Sequence, residues 1–301
     1  MKRILILGSV IGAGLLAMAV AGQQEPQRAG GFTFPPLGSI EKVADNLYRI
    51  PGAGGNSAVW VRGDGVLLVD TKLPGNGQGL IDQIRSVTDK PVTHIVNTHT
   101  HPDHTGSNEQ FPANVEIIVQ ENARASMEKM DNFKVAAGKV GLPDRTYKDR
   151  LTLFSGKEAV DLYYFGPAHT NGDTLVVFRN ARVMHTGDLF AMKGLPLIDT
   201  NNGGSGLAYG ETIGKAVAGI RNVDRVIVGH ADMMRWQDFV DYGEFNSLLV
   251  QHARASLAAG KSPEQAMMDF KPPAKFAGYN LTPVRGGPGM NIAGLYAELK
   301  K

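Results

Sequence analysis

The sequence predicts an α/β sandwich with helices lying outside central sheets. Strand-like and helix-like stretches alternate through both halves of the chain instead of segregating. A composition of 43% hydrophobic and 20% charged residues over 301 positions is the balance of a packed globular protein. Gly63-Asp64, set between two apolar runs, is a hairpin signal.

The elements follow in order. Lys2 and Arg3, then the apolar run Ile4 to Ala21 with Ala19-Val20-Ala21 at its end, read as a signal peptide over residues 1–21. The run approaches the ~20 residues that span a bilayer, so an uncleaved anchor is the alternative. The small residues at its end favour cleavage. An exported protein, periplasmic or secreted, is expected, with membrane contact only through that segment if it stays. Residues 22–37, carrying Gln23, Gln24, Pro26, Gly30, Gly31, Pro35 and Pro36, read as a flexible lead-in.

Asn46 to Ile50 is strand-like, and Ser57–Arg62 with Gly65–Asp70 forms the hairpin. Leu80, Ile81, Ile84 and Val87 have helical spacing over Gly79–Val87. Val92–Asn97 and Val115–Val119 are buried strand candidates, and a helix is expected from Glu121 to Phe133. Residues 134–156 read as a long surface connection. Ala159–Phe165, Thr174–Arg179 and Arg182–His185 are strand-like, with Asn180-Ala181 as a tight turn. Pro196, Gly203, Gly204 and Gly206 make residues 191–208 a mobile loop by composition. A helix over Glu211–Asn222, a strand over Arg225–Val228 and helices over Gln237–Ala259 and Pro263–Phe270 complete the chain.

The chain contains no cysteine, which excludes disulfides, thiol catalysis and thiolate metal ligands. A formal charge of +2 with no dense Lys/Arg run gives no reason to expect nucleic acid as a partner. A small-molecule substrate is expected instead.

The chemistry concentrates in His99-Thr100-His101-Pro102-Asp103-His104, which holds three of the eight histidines in the chain. The apolar strand Val92–Asn97 leads into it, and Pro102 disfavours a continuing helix, so the cluster belongs on a strand-to-helix loop. Imidazole nitrogen and carboxylate oxygen are the usual ligands of zinc at neutral pH. His169, Asp188 and His230 share one further context: each follows an apolar strand at its C-terminal end, where layered α/β proteins build their sites. A lone loop histidine is commonly a surface residue, and it is the repetition that lifts these three. Asp173 reads equally as a supporting group or as a solvated turn. His94 and His185 alternate into strands as core or surface residues, and His252 lies on a helix without a motif.

These strings closely resemble the metallo-β-lactamase superfamily. THTHPDHTG over Thr98–Gly106 is similar to its H-x-H-x-D-H signature, and GPAHTNGD, HTGDLF and VGH resemble its later ligand motifs in the same order. The resemblance runs from about Asn46 to His230. It implies a four-layer αββα sandwich, as one domain over residues 38–301 with C-terminal helices. It also implies two metal sets: His99, His101 and His169 for one ion, Asp103, His104 and His230 for the other, with Asp188 bridging. Asp70, in Leu67-Leu68-Val69-Asp70-Thr71, resembles the family's early buried aspartate and would steady the ligand loop.

Two Zn²⁺ per chain are therefore expected, with iron or manganese as alternatives because oxygen bridges where other branches have a thiolate. A hydroxide shared by the ions would attack a carbonyl or phosphoryl centre, with Asp103 orienting it and passing its proton. The expected activity is cleavage of an ester, thioester, lactone or lactam bond. An aspartate at position 188 resembles the broader hydrolases, including glyoxalase II-like thioesterases, lactonases and phosphodiesterases. An iron oxidoreductase or sulfur dioxygenase on the same fold, and a non-catalytic metal-binding protein, are the competing readings. Gly52–Asn56, 134–156 and 191–208 are the expected pocket walls. Leu189, Phe190, Met192, Leu195 and Leu197 read as an apolar wall or as packing.

Overall fold

The computed structural model describes residues 27–29, 32–130, 133, 141–282 and 292–301. The expected signal peptide, residues 1–21, lies outside the described residues. Strands β1 (Gln27–Ala29) and β2 (Phe32–Phe34) pair antiparallel. A seven-stranded sheet follows in chain order: β3 (Glu41–Ala44), β4 (Leu47–Ile50), β5 (Ser57–Val61), β6 (Val66–Val69), β7 (Val92–Val96), β8 (Glu116–Gln120) and β9 (Arg145–Tyr147). A six-stranded sheet then runs through β10 (Arg150–Leu153), β11 (Val160–Tyr163), β12 (Leu175–Phe178), β13 (Val183–His185), β14 (Arg225–Ile227) and β15 (Met234–Arg235).

The two sheets pack face to face, and the period of two along each strand sorts the side chains. Ala58, Trp60, Leu67, Val69, Val96 and Ile118 of the first sheet meet Val160, Leu162, Val176, Phe178, Val183 and Ile227 of the second in one buried layer. The intervening residues point outward. Val59, Val66, Leu68 and Ile95 pack with Leu80 and Ile84 of α1 (Gly77–Arg85). Leu175, Val177, Met184 and Val226 pack under a helical layer. That layer comprises α4 (Gly206–Gly219), α5 (Trp236–Ala258), α6 (Pro263–Asp269) and α7 (Ile292–Leu299). The order is helix, sheet, sheet, helix, the expected four-layer αββα sandwich. Each large apolar side chain sealed in these layers contributes about 1.5–3 kcal/mol.

Several expectations need correction. The one-turn helix α2 (Pro102–Thr105) starts at Pro102 itself, with His101 as its N-cap. Proline fits the first helical position, where its missing N–H is not needed. Helix α3 (Glu121–Met127) ends earlier than expected. Residues 134–156 are more than a connection: β9 and β10 lie inside them, and 134–140 lie outside the described residues. Both strands are edge strands of three or four residues with largely exposed side chains, too short to show a period. β3 and β15 are equally short, and α7 is a further helix that the sequence reading does not include. Residues 191–208 are pinned by packing: Leu197 and Ile198 are buried, and Leu195 N–H donates to Asn280 O at 3.0 Å. Ser205 caps α4 by accepting from Ala208 N–H, so that helix begins inside the expected loop. The described end of the lead-in makes backbone contacts with the following loop. Ala53 N–H donates to Pro35 O at 2.7 Å, and Gly38 N–H to Pro51 O at 2.8 Å.

Candidate metal centre

Strands β11, β13 and β14 run in one direction, because β12 is antiparallel to both β11 and β13 while β13 and β14 are parallel. Their C-terminal ends lie on one edge, and His169, Asp188 and His230 follow those ends. Strands β6 and β7 are also parallel, and Asp70 and His99 follow them. Both sheets thus deliver polar residues to one rim of the sandwich. Bonds across the seam fix the two rims: Thr174 N–H donates to Thr98 O at 2.7 Å, and Asn56 N–H to Gly229 O at 2.7 Å.

All seven sequence-predicted positions come together there, in two groups. His99, His101, His169 and Asp188 form one, and Asp103, His104, Asp188 and His230 the other. In each group the candidate donor atoms lie within 4.8 Å of one another. Asp188 belongs to both. Its carboxylate stands 3.1 Å from His230 Nε2, 3.4 Å from His104 Nε2 and 3.7 Å from His169 Nε2.

Hydrogen bonds behind the rings decide which nitrogens face inward. His169 Nδ1 lies 2.8 Å from Leu197 O, which can only accept, so Nδ1 carries the proton and Nε2 the lone pair. His101 Nε2 donates to the Asp199 carboxylate at 2.8 Å, which leaves Nδ1 inward. Thr98 donates its hydroxyl hydrogen to Asp70 Oδ2 at 2.8 Å and therefore accepts from His99 Nδ1 at 3.0 Å. His104 Nδ1 donates to the same Asp70 oxygen at 2.7 Å. Each of these four rings is fixed by an outer partner, as metal-binding histidines require.

The residues fit divalent cations on two observations. The buried atoms His99 Nε2, His104 Nε2 and Asp188 Oδ1 have no hydrogen-bond partner among the described residues. Leaving such groups unmet costs about 1–3 kcal/mol each. In addition, the inward nitrogens His169 Nε2 and His101 Nδ1 are 3.0 Å apart, a separation that needs a proton or a cation between them. A shared cation resolves both.

The electrostatics agree. Burial, reinforced by His104, His169 and His101, holds His99 well below its usual value, and burial pushes His169 down to about 4. Burial opposes charge on Asp188 and Asp103, but His230 and His104 outweigh it and hold both carboxyls well below their usual range. Burial likewise opposes charge on His104 and His230. Their carboxylate neighbours prevail, holding His104 well above its usual value and lifting His230 to about 9. A proton on either inward nitrogen is the charge that a cation would replace.

Some supporting residues gave no sequence signal. Asp199 stands in the stretch read as mobile, yet it holds His101 and accepts from Asn201 N–H and Asn202 Nδ2. Burial alone would raise its carboxyl, but the His101 and Asn202 bonds hold it well below the usual range. Asp199→Ala should weaken cation retention by the His99 group about 10- to 100-fold. Competition with a chromogenic chelator measures it, and an unchanged affinity would remove Asp199 from the site. Lys72 is fully buried, and its ammonium donates to Ile50 O and Gly55 O, both at 2.5 Å, beneath the rim. Burial pushes that amine down to about 7. A side chain at Gly229 would put its Cβ 2.0 Å from Asp188 Oδ1, so glycine there makes room for the shared carboxylate.

Asp173 is buried, and its carboxylate accepts from Thr170 N–H and the Thr170 hydroxyl, setting the turn after His169. His185 is a core histidine that accepts from Gly187 N–H through Nδ1, in the turn before Asp188. His94 is half-buried 3.5 Å from Glu116. His252 approaches Ala266 O at 2.7 Å, on the helical side. Leu189, Phe190 and Leu197 are packing residues, whereas Met192 and Leu195 are only half-buried.

Two face-packed sheets with five imidazoles and two carboxylates on one rim define a candidate metalloprotein. The family model of the metallo-beta-lactamase superfamily matches residues 51–230, more than half of the chain, which therefore belongs to that superfamily. Among curated proteins, the chain is 27% identical over 161 residues to 2,4-dinitroanisole O-demethylase subunit alpha of Nocardioides sp. (strain JS1661). That match covers 52% of this chain and 45% of the relative. It is 26% identical over 145 residues to the uncharacterized protein YobT of Bacillus subtilis (strain 168), covering 43% of this chain and 59% of that one. The chain thus spans about half the length of the curated relatives it matches. Among solved structures it resembles a metallo-beta-lactamase from Pontibacter korlensis, with TM-score 0.59 and 17% identity over 70% of this chain and 99% of that one. It also resembles the inverting sec-alkylsulfatase Pisa1 from Pseudomonas sp., with TM-score 0.69 and 14% identity over 87% of this chain and 50% of that one. At these identities the likeness is one of fold.

Proposed function

We propose that this chain is an exported, metal-dependent hydrolase that cleaves an ester, thioester, lactone or lactam bond with two divalent cations, zinc first among them. The observation that carries the reading is the convergence of two donor groups on Asp188, with buried imidazole and carboxylate atoms left unpaired. Such cations, held by these two groups of residues, would lower the pKa of a bound water towards neutrality and polarise the scissile group.

The chain's own residues supply the rest. His101, Asp103 and His230 keep side-chain exposures of 16%, 15% and 12%, while His104, His169 and Asp188 are at 0%, 1% and 4%. Substrate therefore approaches over the first three. Asp103 is the carboxylate on that open side, 3.3 Å from His230 Nε2. It orients the attacking water and accepts its proton as the water oxygen bonds to the carbonyl carbon. As the bond to the leaving heteroatom breaks, the proton passes from Asp103 to that heteroatom. His169 and His104, locked by Leu197 O and Asp70, keep the floor of the site rigid.

The test is a hydrolysis panel of esters, thioesters, lactones and nitrocefin on zinc, manganese and iron forms of the protein. Relatives named as a 2,4-dinitroanisole O-demethylase and a sec-alkylsulfatase add dinitroanisole and a secondary alkyl sulfate. Turnover of at least one carbonyl substrate by the zinc form is expected. One iron per chain with oxygen consumption would overturn it in favour of an oxidoreductase. Inertness of the zinc-loaded protein across the panel would leave a binding protein. Export is tested by fractionation and N-terminal mass spectrometry: a chain starting at Gly22 outside the cytoplasm supports it, and an intact cytoplasmic chain sinks it.

A further inference from the structure

We infer that the N-terminal hairpin supplies the mouth of the site with an aromatic wall, Phe34, that favours a flat apolar group beside His230. The inference rests on the metal-centre reading above and adds a specificity residue to it. The Phe34 ring lies against the His230 imidazole, with centroids 5.7 Å apart and planes tilted by 42°. His230 is one of the three ligand candidates on the open side, so a ring against it borders the path of a substrate. Phe34 is itself half-buried.

The segment that carries Phe34 is fixed in place. It ends β2, and the next residue accepts from Ala53 N–H at 2.7 Å. Gly52, at φ +76°, passes so close to Pro36 O that a Cβ there would lie 2.0 Å from it. The same loop continues to Gly55, whose N–H donates to Asp103 O at 3.1 Å. Phe34 is thereby held in register with Asp103 and His230 through backbone bonds. A rigid aromatic face of this kind rewards offset or edge-on contact with another ring beyond simple burial.

The test uses the full chain loaded with cobalt(II) and titrated with benzyl mercaptan and with cyclohexylmethanethiol, probes alike in size but differing in flatness. The thiolate-to-cobalt absorption band reads binding without turnover. The wild-type protein should favour the aryl thiol, and Phe34→Ala should shrink that preference about fivefold. Phe34→Tyr should retain it, with cobalt content and circular dichroism unchanged in both variants. An equal preference in wild type and Phe34→Ala would overturn the inference, and so would failure of either thiol to bind. A hydrolysis panel without turnover leaves the titration readable, so the two readings fail separately.

Discussion

Asp188→Ala is expected to empty both halves of the metal centre at once. This carboxylate belongs to both donor groups and stands within 3.1–3.7 Å of His230, His104 and His169. Its loss removes a donor from each ion and the negative charge that outweighs burial at His230 and His104. The effect should exceed the ~10–100-fold that removal of an orienting partner costs. Protein purified from the variant should carry close to no cation by elemental analysis, against the two per chain proposed for the wild type, and the proposed hydrolysis should fall to background. The fold should persist, because the layers around it are apolar and far more extensive. A variant that keeps two cations would remove Asp188 from its bridging role.

Asp70→Asn should do its damage through stability as well as through the metals. Asp70 is fully buried at the end of β6, with a left-handed backbone (φ 61°) that asparagine tolerates. Its two oxygens accept from Thr98 N–H, the Thr98 hydroxyl and His104 Nδ1. Through Thr98 it also sets His99, so one carboxylate orients a ring in each donor group. An amide replaces one acceptor with a donor, and a buried N–H then faces another. About 3 kcal/mol of stability should be lost. For a domain of this size, that lowers the melting temperature by about 10 °C. Calorimetry of the metal-stripped chain isolates this loss. An unchanged melting point there would show that Asp70 bears no structural load.

The sequence and the structure agree most where the signal is dense. The runs that became β6 and β12 are continuous and apolar, because both faces of those strands are buried. The seven donor positions were legible because ligand types recur at strand ends, and the structure gathers those same residues. What escaped was what depends on chain folding back. Asp199 lies 98 residues from the ring it orients, and Leu197 acts through a backbone carbonyl that any residue would supply. Composition made 191–208 look mobile because glycine and proline weigh on local preference, while tertiary packing decided otherwise. Phe34 falls inside the stretch read as a flexible lead-in, and only its position against His230 gives it meaning.

One consequence follows from where the donors originate. His99 to His104 hang from the first sheet, whereas His169, Asp188 and His230 hang from the second. Any ion held in either group is therefore a rivet driven through the seam between the two sheets. Its binding free energy adds to the cohesion of the sandwich, by roughly 4 kcal/mol when free ion stands a thousandfold above its dissociation constant. Scarcity of metal would then shorten the life of the folded chain in the same stroke that silences its chemistry.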